Sequence, residues 1–311
     1  MDFFLRDRRQ HIVAFAALLI SSLSQKHVSW ESLIAWLNID EESLRRDLAA
    51  SEISYLFQRG RQWNAFTSSQ LAEFILRSRF VAQDRDVLVS AYSTIVLKTA
   101  ESANDSRSGL DFRENLKELM KFRLLTRLFG SDEDAVKLIG SVYRKLSEAP
   151  RIRNNPQFWL QYAMSRMEVG DLDTAETYLD SALGLARDRG KDYSPFQILD
   201  QRARLYFRKN ISSGSAFKKT EIKTAIRDLS DLSRHKDYET IYPFRAVPLI
   251  RDLIEMRIDS LDEELKSVLL KFLEEMAQTS KQFQHLPRSQ KGETRVLYAA
   301  LSEALLILRN G

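Results

Sequence analysis

A mainly helical fold, opening with a small module of helices and one hairpin and continuing as a stack of helical hairpins, is predicted by three features of the sequence. Glycine and proline number only 10 and 6 in 311 residues, too few turn residues for a many-stranded β protein. Apolar side chains recur at three- and four-residue steps through the segments after residue 84, the period that gathers them on one helix face. An internal repeat shows in Gly130 with Ala135 and Gly170 with Ala175, pairs set 40 residues apart. With 44% hydrophobic residues the chain is too apolar for disorder and can bury a substantial core.

The elements follow in order. Residues 10–23 form a helix apolar nearly all round, centred on IVAFAALLI (Ile12–Ile20), and such a helix belongs in the middle of its domain. Arg6, Arg8 and Arg9 before it give a superficial likeness to a signal peptide. The run falls short of the ~20 apolar residues that cross a bilayer, and no A-x-A-like cleavage site precedes Ser24-Gln25-Lys26, so a buried helix of a soluble domain is the reading. Ser29 starts a shorter helix, SWESLIAWL, with Trp30, Leu33, Ile34 and Leu37 inward. After the turn Asn38-Ile39-Asp40, Glu41 and Glu42 open a third helix, where acidic residues suit the positive end of the helix dipole. The β-prone runs Ile53–Phe57 and Trp63–Phe66 flank Arg59-Gly60-Arg61, a hairpin with glycine at its turn. Thr67 and Gln70 then make a T-x-x-Q capping box ahead of LAEFILRSRF. Three helices, a hairpin and a further helix is the order of a winged-helix-like module, placed at residues 1–80.

Residues 81–311 carry only helical patterns. Asp84–Ala100 is one helix and Glu101–Gly109 a polar loop; Phe112–Phe129 and Asp132–Leu146 are a pair joined at Gly130-Ser131, with Ser131 and Asp134 as the start signal of the second. The best-specified stretch is Asn155–Arg187. Asn155 is a good N-cap and Pro156 suits the first helical position; Trp159, Tyr162, Ala163 and Met167 share one face, Gly170-Asp171 breaks the helix, and Ala175, Tyr178, Leu179, Ala182 and Leu185 form the next inward stripe. A large aromatic, then Gly, then Ala five residues on, then Ala again resembles a tetratricopeptide (TPR) unit. It departs from that pattern in Arg166, where an aromatic is common, and Arg187, where Pro often closes the unit. A third, degenerate pair spans FQILDQRARLYF and KKTEIKTAIRDLSDL. Beyond the break at Tyr242-Pro243 come PLIRDLIEM, a helix from the Ser260/Glu263 box, the loop HLPRSQKG, and a last helix, Thr294–Leu308. An α-solenoid of TPR-like helical hairpins is expected over 81–311.

Chemistry is sparse in this sequence. Zero cysteine excludes disulfides and thiolate metal sites and fits a reducing cytoplasm. His11, His27, His235 and His285 lack the i, i+4 partner that sets two imidazoles on one helix face for zinc. The nearest phosphate-loop match, Gly184 to Lys191, has five residues between its glycines instead of four, Asp192 in place of Ser or Thr, and no preceding strand. Glu41-Glu42 and Asp132-Glu133-Asp134 lie in first helical turns, where capping explains them. No catalytic, cofactor-binding or metal-binding residue is nominated. Stacked repeats leave an extended concave surface that commonly binds. By the TPR likeness Gln157, Leu160, Met164, Met167 and Glu168 line it, joined by Gln201, Arg204 and Arg208 in the next repeat; packing of Leu160 and the two methionines between repeats is the competing reading. A formal charge of +4, from 47 basic and 43 acidic residues, is no electrostatic clamp for nucleic acid. Arg45 and Arg46 on the third helix and Arg59 and Arg61 at the hairpin tip are the candidates for DNA, but near-balanced charge over residues 1–80 is weak for a module that must neutralise several phosphates.

Two stretches, WNAFTSSQLAEFIL and FWLQYAMSRMEVGDLDTAETYLDSALGLA with the later FQILDQRARLYF, resemble the C-terminal half of STAND-type NTPases, signalling ATPases that include bacterial antiphage sensors. The resemblance implies a cytoplasmic, non-enzymatic part that recognises a trigger protein or holds the ATPase inactive. The nucleotide-binding core would lie upstream of Met1, and no nucleotide-contacting residue carries over. Two expectations stand: a recognition and regulatory module with a protein partner, or a winged-helix DNA-binding regulator with a TPR-like sensing domain.

Overall fold

The computed structural model describes residues 9–23, 30–49, 58–59, 62–63, 68–81, 84–103, 109–211, 216–234, 241–279 and 288–310. They are mainly helical and fall into two compact units, residues 1–165 and 166–311. The junction expected near residue 80 lies inside the first unit, where the first helix packs along the helix that begins at Arg85.

The first unit opens with α1 (Arg9–Ser21), α2 (Trp30–Leu37) and α3 (Glu41–Ala49). Strands β1 (Gln58–Arg59) and β2 (Gln62–Trp63) pair antiparallel, Arg59 opposite Gln62. The rest of the two expected β runs, with Gly60 and Arg61, lies outside the described residues. There follow α4 (Ser69–Ile75), which runs into a π-helical turn (Leu76–Val81), then α5 (Arg85–Ser102), α6 (Gly109–Leu119), α7 (Phe122–Phe129), α8 (Glu133–Ser147) and α9 (Pro150–Arg153). Helix α10 (Pro156–Glu168) begins in this unit. Ala14 to Ile20 are all buried, as a helix apolar on every side must be, and α1 packs against α2, α4 and α5.

The stretch 112–129, expected as one helix, is two. Leu119 and Met120 give their carbonyls to side chains instead of to the next helical turn. The Tyr92 hydroxyl on α5 donates to Leu119 O at 2.6 Å, and the Tyr143 hydroxyl on α8 donates to Met120 O at 2.9 Å. On the far side of the break Phe122 N–H donates to Gln161 Oε1 on α10 at 2.8 Å. Lys121 between them is extended, with ψ 126°. Three buried side chains thus supply the partners that an unbroken helix would have found in itself.

The second unit contains α11 (Leu172–Asp188), a 3₁₀ turn (Gly190–Asp192), α12 (Phe196–Ile211), α13 (Lys219–Ser233), the short α14 (Ile241–Phe244), α15 (Val247–Arg257), α16 (Glu263–Thr279) and α17 (Arg288–Asn310). Helix α12 is central, against α11, α13 and α15, while α17 packs on α15 and α16. Ala203, Phe207, Leu229, Phe244, Leu253, Leu269 and Leu301 belong to one continuous core. Helix α17 starts six residues before the expected Thr294: Pro287 precedes it, and Gly292 inside it weakens a helix by only about 1 kcal/mol. Helix starts elsewhere are displaced by one or two residues. Ser68 caps α4, the expected Thr67 lying outside the described residues; Asp132, not Ser131, caps α8; and Asp262, not Ser260, accepts from the first turn of α16. Among the described residues no helix is long and apolar enough to cross a membrane.

Candidate partner-binding surfaces

Helix α4 is short because its sequence turns it over to a wider helix. Ser68 Oγ accepts from Leu71 N–H at 3.3 Å to start it, and from Leu76 the chain runs as a π turn, a form that occurs mostly as single turns and is frequent at functional sites. Ala72, Ile75, Leu76 and Phe80 bury one face, with the Phe80 ring 6.1 Å from that of Phe15. The opposite face carries Gln70, Glu73, Phe74, Arg77 and Ser78, which line an open hollow of about 610 Å³. Phe74 is 67% exposed and Leu71 beside it 37%. Arg127 of α7 pairs with Glu73 at 2.9 Å, which among the described lining residues leaves exposed Arg77 as the hollow's cation.

The TPR-like stretch is built as its residues require. Asn155 Oδ1 accepts from Gln157 N–H at 3.0 Å, as an N-cap does. Gly170, at φ 76°, closes α10 with two backbone bonds: its N–H donates to Met167 O at 3.3 Å, and Asp171 N–H to Arg166 O at 3.0 Å. This is the Schellman arrangement, which needs a left-handed residue at that position. Asp171 then caps α11, and Ala175, Leu179, Ala182, Leu183 and Ala186 are buried, with Tyr178 and Leu185 only half covered. Gly130, 40 residues earlier, is at φ 103° and ψ −170°, a region open essentially to glycine alone, and one more residue separates it from its next helix. Ala135 and Ala175 are both buried, but the repeat in spacing joins two differently built turns.

Most residues expected to line a groove are committed internally. Gln157, Leu160 and Met167 are buried and Met164 half-buried, which is the packing alternative; Glu168 alone of that set is exposed. On α12, Asp200 is 3% exposed and gathers Gln201 and Arg204: Gln201 Nε2 donates to Oδ2 at 3.1 Å, and the Arg204 guanidinium donates to both oxygens at 3.0 and 3.2 Å. Arg204 also donates to Tyr242 O at 2.9 Å, and Arg208 to Met167 O at 3.2 Å. Arg202 reaches buried Asp228 at 2.6 Å, and Lys209 spans Asp173 and Glu176. Burial pushes the Asp200 carboxyl above its ordinary value, against the pull of Arg204. For Lys209 burial works downward, yet the two carboxylates outweigh it and hold the ammonium well above its usual range. Farther along, Arg245 pairs with Glu293, draws that carboxyl below its ordinary range, and lies 4.9 Å from the Tyr242 ring centroid. Arg202 and Lys209 thus fasten α12 to α13 and α11, while the Arg204–Asp200 pair lies within α12.

The DNA candidates divide similarly. Arg45 lies against Glu41 and 6.0 Å from the Trp30 ring centroid, with Trp30 Nε1 donating to the same carboxylate at 2.8 Å. Arg46 is exposed and 3.7 Å from Glu42. Arg59 sits in β1, while Arg61 lies outside the described residues, as do His27, His235 and His285. Among the described residues no group of three or more His, Cys, Asp or Glu is placed to hold a metal. Gly184 lies within α11 and Gly190-Lys191 in the 3₁₀ turn after it, so the near-match to a phosphate loop runs over a helix end.

Sequence reasoning passed over Phe74, although a signal existed: the stripe Ala72, Ile75, Leu76 and Phe80 leaves Phe74 off the buried face. No protein-family model, curated protein or solved structure matches the chain significantly.

Proposed function

We propose that this chain is a non-enzymatic recognition and regulatory module that binds a protein partner, in the manner of the sensor region of a STAND-type NTPase. The order of three helices, a short antiparallel pair and α4 supports a winged-helix-like start, and the Asn155–Arg187 unit supports TPR-like hairpins after it. The observation that carries the reading is the hollow on α4, where a phenylalanine two-thirds exposed stands beside a partly exposed leucine and an exposed arginine. A large aromatic left in water at the edge of a hollow is the usual anchor of a protein interface. The partner contact thus moves from the repeat groove, whose expected residues are mostly buried or bonded, to the first unit.

A photoreactive benzoylphenylalanine at position 74 of the full chain, expressed in its own cells, gives one discrete heterologous cross-link. The same probe at Val296, 64% exposed on α17, is the control. Equal products at both positions, or none at 74, remove Phe74 from the reading. Salt-sensitive nanomolar retention of duplex DNA, abolished when Arg45, Arg46, Arg59 and Arg61 become alanine, turns the choice to a DNA-binding regulator.

A further inference from the structure

We infer that the hollow on α4 takes an acidic amphipathic helix: an apolar side chain seated on Phe74 and Leu71, and a carboxylate about one helical turn away meeting Arg77. This rests on the proposed partner-binding role and names the chemistry of the partner. Three observations carry it. First, the hollow has room, about 610 Å³, for more than one side chain, and it is open, so a segment can lie along it. Second, the charge at its rim is one-sided. Among the described residues Glu73 is engaged by Arg127 at 2.9 Å, so two guanidiniums face one carboxylate and Arg77 is left for an incoming anion. Third, the described residues of its lining all lie on one helix, and Ser78 Oγ donates to that helix's own Ile75 O at 3.4 Å. Side chains presented on one helix face recognise a segment in the helix-in-groove mode. Phe74 and Arg77 are three residues apart, roughly 4.5 Å along the axis, which matches an i, i+3 or i, i+4 pair on a facing helix.

The test is a selection of a random 12-residue peptide display library on the immobilised full chain, repeated on three variants. The expected consensus is a large apolar residue with Asp or Glu three or four positions away. Phe74→Ala lowers the affinity of a consensus peptide about 30-fold. Arg77→Glu, on an exposed side chain that leaves the fold undisturbed, exchanges the acidic position for Lys or Arg. Arg127→Gln frees Glu73 and weakens the acidic consensus peptide while leaving its apolar position unchanged. A consensus without acid, or one indifferent to Arg77→Glu, overturns the inference, while a discrete cross-link at position 74 in the same protein leaves the partner-binding role standing. A consensus indifferent to Phe74→Ala overturns both. Each variant is checked by its circular dichroism melt, and Arg77→Glu remains decisive where Phe74→Ala alters the melt.

Discussion

Tyr143→Phe removes one hydroxyl and almost nothing else. The ring keeps its stack on Tyr162, at 5.0 Å and 15°, and its contact with Phe158 at 5.9 Å. The side chain is fully buried, and the oxygen it served, Met120 O, sits in a residue 1% exposed at the break between α6 and α7. A buried carbonyl left without its donor costs about 1–3 kcal/mol. For a unit of 165 residues, at about 2–4 °C per kcal/mol, a middle value of ~2 kcal/mol lowers the melting temperature by roughly 4–8 °C. Tyr92→Phe does the same to Leu119 O. The double variant loses less than the sum, because Leu119 and Met120 are adjacent and, with both hydroxyls gone, α6 and α7 can join and take up the two carbonyls within one helix. Differential scanning calorimetry of the full chain reads all three. Alkaline pH supplies a second readout. Burial raises the Tyr143 phenol well above its ordinary 10.0, so its stabilisation is complete below pH 10 and is lost as pH rises beyond it; the gap between wild type and Tyr143→Phe narrows there. A shift under 1 °C for both single variants at pH 7 refutes the claim that hydroxyls hold the break.

Other expected outcomes are more local. Gly184 lies mid-helix on α11 with open space where a Cβ would stand, so Gly184→Ala stabilises by about 0.5–1 kcal/mol, whereas Gly170→Ala, at φ 76°, destabilises by about 1–2 kcal/mol; thermal melts of opposite sign check the pair. Ala175 is fully buried in the first turn of α11, and Ala175→Leu overpacks it by roughly 1–3 kcal/mol, so an unchanged melt removes the close-packing assignment. The bond from Arg245 lowers the Glu293 carboxyl below its ordinary 4.5, so its stabilisation is present above that pH and is lost as pH falls through the lowered value; Glu293→Gln is less stable than wild type at pH 7 and equal to it in strong acid, as read by melts from pH 7 to 2.

What the sequence made legible was whatever one helix decides by itself. IVAFAALLI announced a buried helix because no face of it suits water, and Gly170-Asp171 announced a turn because a left-handed residue followed by a good cap is a local device. The caps slipped by one or two residues at Ser131 and Ser260 because neighbouring hydroxyls and carboxylates can each accept from a first turn, and the packing of the whole helix selects among them. The break after Leu119 was illegible for a stronger reason. Its partners Tyr92, Tyr143 and Gln161 lie 27, 23 and 39 residues from the groups they serve, so nothing within the segment distinguishes a broken helix from a whole one. The same argument governs the expected site. Arg204 and Arg208 have the composition of a binding face; the Arg204–Asp200 pair is an i, i+4 contact within α12, but whether Arg208 meets a ligand or a neighbour depends on where the Met167 carbonyl comes to rest, and that is settled by how α12 is surrounded. Phe74 is the converse case. It is exposed because the buried stripe of its own helix excludes it, so its availability to a partner follows from local periodicity while the engagement of Arg208 follows from packing.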